Sequence, residues 1–144
     1  MYKLHVEREI ACSHQLHNHD GKCRNLHGHN YTVIVDLATD SLIEGGSSDG
    51  MVMDFGDIKG VIDALDHRHL NDYFEMLKGY FKEGHLLDLV TAMAIQPTSE
   101  RLAEYFARAI RKLIKEKYNR NVCNIKVKVY ESKSNYAEYA LYKL

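Results

Sequence analysis

The sequence predicts an α+β fold in the order strand, strand, helix, helix, strand, strand. Apolar and polar side chains alternate in two segments near the start of the chain and in two near its end, and apolar residues recur with helical spacing in two segments between them. A period of two is typical of half-buried strands, whereas recurrence at i, i+3, i+4 and i+7 is typical of amphipathic helices. The chain has 144 residues and no internal repeat, so we expect one domain that spans residues 1–144.

The first two strands are predicted over residues 2–14 and 28–38. Arg8 interrupts the apolar side of the first strand, whose members are Leu4, Val6, Ile10 and Cys12. One side of the second strand consists of His29, Tyr31, Val33 and Val35. The segment between the strands, residues 17–26, is polar and rich in turn formers, which predicts a loop.

Two helices are predicted in the middle of the chain. The first begins after Asp54, a good N-cap residue, and Asp57 lies in its first turn. Its apolar stripe is Ile58, Val61, Ile62 and Leu65. The second begins near residues 97–100 and ends at about Tyr118, with these residues inward: Leu102, Phe106, Ala109, Ile110, Leu113 and Ile114. Residues 73–95 are partly helix-like, which predicts a longer connection without fixing its shape.

Two strands, over residues 124–131 and 136–142, are predicted to close the chain. The apolar face of the first consists of Ile125, Val127 and Val129, and Glu131 continues the same parity. A glutamate at a strand end is by default solvated. Alternatively, an inward carboxylate accepts the paired N–H groups of an amidine-shaped partner, such as the 2-amino-4-oxo edge of a pterin or guanine.

Composition excludes several classes of protein. The formal charge of −1 excludes a general attraction to nucleic acid or anionic membranes, and no segment approaches the roughly 20 apolar residues of a membrane span. The first nine residues have no secretory apolar run. Three widely spaced cysteines are typical of reduced thiols, with Cys12 and Cys123 as core residues, so we expect a cytoplasmic protein.

Histidines cluster where the first two predicted strands meet. His27 and His29 are separated by one glycine, and a spacing of two puts both imidazoles on one face of a strand. His14 ends the preceding strand on its apolar parity, so it can point the same way. Three imidazoles leave a fourth zinc position open, as in catalytic zinc sites. The alternatives are ordinary polar strand residues, or a His-rich loop with His17 and His19 that binds metal adventitiously.

Two further groups of titratable side chains are candidates for proton transfer. Cys23 lies four residues before His27 and between two basic residues, which favour a thiolate that acts as a base or nucleophile. Cys23 could instead be the fourth zinc ligand of a structural site. Asp66 precedes His67 directly, so it can orient the imidazole or raise its basicity; the alternative is an exposed helix end.

Taken together, these segments resemble the 6-pyruvoyltetrahydropterin synthase and 6-carboxytetrahydropterin synthase family. The matching segments occur in family order and span most of the chain outside residues 73–95. They are 11–16 (ACSHQL), 21–31 (GKCRNLHGHNY), 50–55 (GMVMDF), 65–67 (LDH), 97–100 (PTSE) and 127–131 (VKVYE).

The resemblance implies roles for the residues singled out above. The implied zinc ligands are His14, His27 and His29. Cys23 is the implied proton-abstracting residue, with Asp66 and His67 as its partner relay. Glu131 is the implied anchor of the pterin edge, in a pocket with these lining residues: Thr98, Ser99 and Glu100.

The resemblance also implies a fold and an assembly. The fold is the tunnelling fold, or T-fold, in which each subunit contributes a four-stranded antiparallel sheet with two helices on one face. Sheets join into a barrel, usually in a homohexamer of two trimers. Active sites lie between subunits, so Cys23 and the pair Asp66 and His67 can come from different chains.

The short gap between Cys23 and His27 resembles the bacterial and archaeal carboxy-forming enzymes of the 7-deazaguanine (queuosine) route. These convert 7,8-dihydroneopterin triphosphate to 6-carboxy-5,6,7,8-tetrahydropterin, acetaldehyde and triphosphate. Two features depart from the family pattern. Gln15 replaces the usual Arg after the first zinc histidine, which puts one phosphate contact in doubt, and residues 73–95 are longer than expected.

The hypothesis is therefore a zinc-dependent lyase that acts on a pterin triphosphate. Zinc supplies Lewis acidity to the substrate hydroxyls, Cys23 moves protons, and the ring is reduced by internal redistribution of hydrogen without nicotinamide. One rival is a 6-pyruvoyltetrahydropterin synthase, which only eliminates triphosphate. A dihydroneopterin-cleaving relative would share the fold, but such relatives usually carry Glu at the position of Cys23, which argues against this assignment. A rival of another class is a non-catalytic zinc-binding protein.

Overall fold

The computed structural model of the chain describes residues 1–142. Its strands and α-helices are, in order, β1 (Tyr2–His14), β2 (His27–Thr39), α1 (Phe55–Asp63), β3 (Arg68–His69), α2 (Leu70–Leu77), α3 (His85–Ile95), α4 (Ser99–Leu113), β4 (Asn124–Tyr130) and β5 (Tyr136–Tyr142). The strands form one sheet in the order β3-β1-β2-β4-β5. The four long strands are antiparallel to their neighbours, and β3 pairs with β1 in parallel. The α+β prediction is confirmed.

The element count differs from the expectation. Over residues 1–142 the sheet has five strands, because the two-residue strand β3 adds to the edge of β1. There are four α-helices in the same range, since α2 and α3 occupy most of the connection over residues 73–95. A strand of two residues shows no alternation, and periodicity alone could not fix the shape of the connection.

Alternating burial places the core on one face of the sheet. Val33, Val35 and Val127 are fully or almost fully buried, and they share one cluster with Ile58 of α1 and Phe106 of α4. The opposite face carries charged residues in neighbouring strands, such as the row of paired positions His5, Asp36 and Lys126. The helices therefore cover only one side, as the apolar parity of the strands dictates.

Arg8, which interrupts the apolar parity of β1, is paired with α1. Its Nε and Nη2 atoms donate to the two carboxylate oxygens of Asp63 at 3.0 and 2.6 Å. A bidentate pair of this kind satisfies the guanidinium at the border of the core. The interruption thus fixes where the end of α1 lies against β1.

The caps of α1 and α4 agree with the sequence signals. The Asp54 carboxylate accepts the N–H of Gly56 at 2.8 Å, and the Thr98 hydroxyl accepts the N–H of Arg101 at 3.2 Å. Helix α1 ends at Asp63, although the fully buried Leu65 continues its apolar stripe in the following turn. Within residues 1–142, no helix combines the length and apolar character that a membrane crossing requires.

Candidate metal centre and pterin pocket

The register of β1 and β2 brings three histidines together. His14 is paired with His27, and Cys12 with His29, at the end of the two-stranded ladder where the loop begins. Since residues two apart share a face, all three imidazoles lie on the helix-covered side. One ring nitrogen from each lies within 4.8 Å of the others, and the rings are 4.5 to 5.1 Å apart between centroids.

Backbone carbonyls orient two of these rings. Nδ1 of His14 donates to the carbonyl of Pro97 at 2.9 Å, and Nδ1 of His27 donates to the carbonyl of Asn25 at 2.7 Å. With both Nδ1 protons committed, the Nε2 atoms of the neutral rings present lone pairs to each other, 3.0 Å apart. This arrangement needs a cation or an additional proton between the two nitrogens.

The third histidine adds a further unsatisfied nitrogen. Among residues 1–142, Nε2 of His29 is a buried side-chain nitrogen that has no hydrogen-bond partner. Such a group is costly unless something binds it. Three nitrogens bound to tetrahedral zinc at about 2.0–2.1 Å are about 3.3 Å apart, close to the observed Nε2 separation of His14 and His27. The residues therefore fit a zinc ion.

Burial keeps His14 and His29 in the form that binds metal. The pKa of His14, which is fully buried, is lowered from its ordinary value chiefly by desolvation. The pKa of His29 is also lowered by burial, against an opposing effect of the Glu131 charge. A lowered pKa leaves the imidazole neutral at physiological pH, and the neutral ring is the metal ligand.

Gly28 allows the close approach of the two strands at this point. A Cβ atom at position 28 would lie 3.1 Å from the carbonyl oxygen of Cys12. The glycine thus keeps β2 at the normal ladder distance from β1 between the two histidines.

Glu131 follows β4 on the inward parity and lies beside this cluster. It is half-buried, and Oγ of Ser99 donates to its Oε1 at 2.7 Å. Ser99 is the first residue of α4, directly after the cap Thr98. Ser99, Glu100 and Glu131 line one cavity of about 350 Å³. The structure thus places all the residues expected to bind a pterin edge at one end of α4, with Thr98 at its cap.

Cys23 lies in a single 3₁₀ turn, Lys22–Arg24, within the loop that joins β1 to β2. Its carbonyl accepts the N–H of Leu16 at 2.9 Å, which holds the turn close to the end of β1. The side chain is half-buried. Its sulfur is outside the group of ligand atoms that lie within 4.8 Å of one another. This geometry favours a separate role for the thiol over a fourth metal ligand.

Asp66 and His67 contact each other but not the histidine cluster. The Asp66 Oδ1 atom accepts the N–H of Ala11 at 2.8 Å, and His67 Nδ1 lies 3.1 Å from the same oxygen. The Ala11 hydrogen bond is the main cause of the lowered pKa of Asp66. His67 has a left-handed backbone with φ of 61°, and its side chain is 82% exposed. Within residues 1–142, no hydrogen bond joins His67 to Cys23 or to the cluster.

Sequence reasoning missed the groups that orient the ligands. These are the carbonyls of Pro97 and Asn25, and the hydroxyl of Tyr31, which lies 3.3 Å from Nδ1 of His14. Every residue has a carbonyl, so the sequence carries no signal for the first two. Tyr31 could have been found, since it continues the parity of His27 and His29.

A family model and several named proteins match this chain over most of its length. A family model described as 6-pyruvoyl tetrahydropterin synthase matches residues 3–141. The chain is 29% identical to a Haemophilus influenzae protein named 6-carboxy-5,6,7,8-tetrahydropterin synthase, over 96% of this chain and 99% of that one. It is 33% identical to a putative enzyme of the same name from Pyrococcus abyssi, over 96% and 90% of the two chains.

The fold has a solved counterpart. The structure is similar to Caenorhabditis elegans 6-pyruvoyl tetrahydropterin synthase, with a TM-score of 0.56 and 26% identity over 96% of each chain. The match covers nearly the whole of both chains, so the two proteins share the overall fold.

Proposed function

The chain belongs to the 6-pyruvoyl tetrahydropterin synthase family, and we propose that it is a 6-carboxy-5,6,7,8-tetrahydropterin synthase. In this reaction 7,8-dihydroneopterin triphosphate and water give 6-carboxy-5,6,7,8-tetrahydropterin, acetaldehyde and triphosphate. The product would serve the 7-deazaguanine (queuosine) route. The three cysteines form no disulfide, which agrees with a reducing, cytosolic setting.

One observation carries the proposal: a three-histidine set lies beside an inward carboxylate, whose charge acts on two of the rings. The cluster supplies three nitrogens and leaves further coordination positions for a ligand, as catalytic zinc sites do. Glu131 is near enough for its charge to oppose the lowering of the pKa of both His14 and His29 by burial. A small molecule with an amidine edge and vicinal hydroxyls fits such a pair of sites.

The pterin ring would be held by the carboxylate. Glu131 accepts two parallel N–H groups from the 2-amino-4-oxo edge, a charge-assisted pair that fixes the orientation of the ring. Ser99, which already donates to Oε1, keeps the carboxylate in place from the start of α4. The other end of the ring then points toward the histidines.

The side chain of the substrate is where the chemistry occurs. A zinc ion held by His14, His27 and His29 supplies Lewis acidity toward the side-chain hydroxyls when it is bound. Cys23 takes a proton from a side-chain carbon and returns it elsewhere, so hydrogen moves to the ring while the side chain is oxidised. No external reductant is required. His67, oriented by Asp66, exchanges the proton with the thiol.

The proton exchange between His67 and Cys23 needs more than one chain. Asp66 and His67 lie at the edge of β1 away from β2, and the exposed His67 ring has no bond to Cys23 within residues 1–142. We therefore propose a homo-oligomer, a hexamer of two trimers, in which His67 from one subunit completes the site of another. The sheets would join edge to edge into a barrel.

A second candidate is the pyruvoyl-forming reaction, which the family description and the C. elegans relative both name. It uses the same metal ligands, base and carboxylate, so geometry alone does not separate the two reactions. The carboxy-forming assignment is favoured because both full-length relatives above carry that name.

Product analysis tests the proposal. Purified protein loaded with zinc is given 7,8-dihydroneopterin triphosphate without nicotinamide, and the quenched mixture is examined by mass spectrometry. We expect acetaldehyde together with a 6-carboxy pterin, and neither in a chelator-treated control. A pyruvoyl pterin without acetaldehyde would assign the second reaction, and no turnover of any dihydropterin would favour a metal-binding protein without catalysis.

A further inference from the structure

Asn71, the second residue of α2, is a buried polar residue that the proposed chemistry does not use. Its side chain is 5% exposed. The Oδ1 atom accepts the N–H of Gln15 at 2.9 Å, and Nδ2 donates to the carbonyl of Gln15 at 2.9 Å and to that of Ala94 at 3.1 Å. The carboxamide thus uses its donor and its acceptor on backbone groups from two other parts of the chain.

Both of these parts lead directly to His14. Gln15 is the next residue after His14, so the pair of bonds to its backbone holds the end of β1 from which the imidazole projects. Ala94 lies at the end of α3, three residues before Pro97, whose carbonyl orients Nδ1 of His14. Asn71 therefore links the backbone of the ligand to the segment that carries its orienting acceptor.

The junction formed by Asn71, Gln15 and the end of α3 also holds the loop that carries Cys23, the proposed base. The N–H of His17 donates to the carbonyl of Ile95 at 3.4 Å, and the N–H of Asn18 donates to Oε1 of Gln96 at 3.0 Å. This loop continues to Cys23. The end of α3 is thus the point on which the first turn of the loop and the orientation of His14 both depend.

We propose that Asn71 is a positioning residue for the metal centre, which joins the backbone at Gln15 to the end of α3 so that His14 and its carbonyl partner stay aligned. The inference rests on the proposed zinc site. A carboxamide is the only short side chain that offers two donors and an acceptor here. A carboxylate would place its oxygens against the two carbonyl oxygens without a proton to donate. An apolar residue would leave three backbone groups unpaired.

Metal affinity measured on the full chain tests this role. We expect Asn71→Asp and Asn71→Ser to weaken Co²⁺ binding by about 10-fold or more in chelator competition, since loss of an orienting partner commonly costs 10- to 100-fold in metal affinity. The visible spectrum of the cobalt protein should change as well. The matched control is Val90→Ala, which removes fully buried volume from α3 without removing a side-chain hydrogen bond of the junction.

Thermal unfolding separates positioning from general stability. If Val90→Ala lowers the melting temperature as much as an Asn71 variant and keeps its Co²⁺ affinity within about 2-fold, positioning is supported. Equal loss of affinity in Val90→Ala, or wild-type affinity in both Asn71 variants, would overturn it. Because no pterin is present, a failure of the proposed reaction leaves this result unaffected, whereas a wild-type chain that binds no metal would overturn both the zinc site and the positioning role.

Discussion

The histidine cluster and the Asp66–His67 pair both lie beside residues of β1, yet they differ in almost every physical respect. The cluster is inside the fold, and each of two rings is fixed by a backbone carbonyl. The pair is at the edge of the sheet, where the His67 ring is 82% exposed and its backbone is left-handed. One region is ordered by its own chain, and the other presents a reactive group outward.

This difference indicates which parts of the reaction one subunit can perform. Metal binding depends on residues that the fold of a single chain already brings together. In the proposed reaction, proton transfer depends on the His67 ring, which contacts Asp66 but is bonded neither to Cys23 nor to the cluster within residues 1–142. We infer that the metal centre is complete in each subunit and that the relay is completed by assembly. This difference between the two regions can be tested with variants of each.

The largest effect is expected from the cluster itself. His27→Ala and His29→Ala should each reduce zinc from about one ion per chain to near zero, because a catalytic zinc site has three protein ligands and no spare one. Metal analysis of the purified variants checks this. His17→Ala is the matched control, since His17 is exposed in the adjoining loop. Full occupancy in both cluster variants would refute the three-ligand site.

A pair of variants tests whether the relay crosses between chains. Cys23→Ala and His67→Ala should each lower turnover by about 10²–10⁴-fold, the usual contribution of a general base, while zinc content stays normal. Mixed oligomers of the two should regain activity if the thiol and the imidazole of one site come from different subunits. Steady-state rates before and after mixing decide the question.

Two outcomes would count against that interpretation. No recovery in verified mixed oligomers would place both groups in one chain, and loss of zinc in Cys23→Ala would make the thiol a metal ligand. Cys123→Ala is the control, since that half-buried thiol contacts Asp40 far from the cluster along the sheet.

The smallest of the three effects concerns the pocket next to the cluster. Glu131→Gln should weaken binding of a pterin analogue by about 10- to 100-fold, as expected from a lost charge-assisted pair, and should change zinc affinity far less. Calorimetric titration measures both constants. Glu44→Gln, at an exposed position, is the control. Unchanged pterin affinity would mean that Glu131 is only a solvated strand end.

Much of the fold was predictable because its strands obey a simple period. Alternation fixed β1 and β5 at the observed bounds, and the inward parity of His14, His29 and Glu131 is visible in the sequence. Helix signals also placed the starts of α1 and α4, where Asp54 and Thr98 cap the first turns. In these cases one local pattern was enough.

The remainder depends on contacts between distant segments. Asn71 forms hydrogen bonds with residues 56 positions earlier and 23 positions later in the chain. No local sequence pattern predicts hydrogen bonds between such distant positions. The helices over residues 73–95 pack against each other and on α4, so their ends are set by tertiary contacts. The left-handed backbone of His67 likewise occurs where its N–H donates to the distant Ala11 carbonyl.

The pairing register of β1 and β2 determines both the core and the metal ligands. A slip by one residue would turn every side chain of a strand to the opposite face. The same register buries Val33 and Val35 and places His14 opposite His27. A slipped hairpin would lose its core and its three-histidine set together, so metal binding by the purified chain would report that the two strands are correctly aligned.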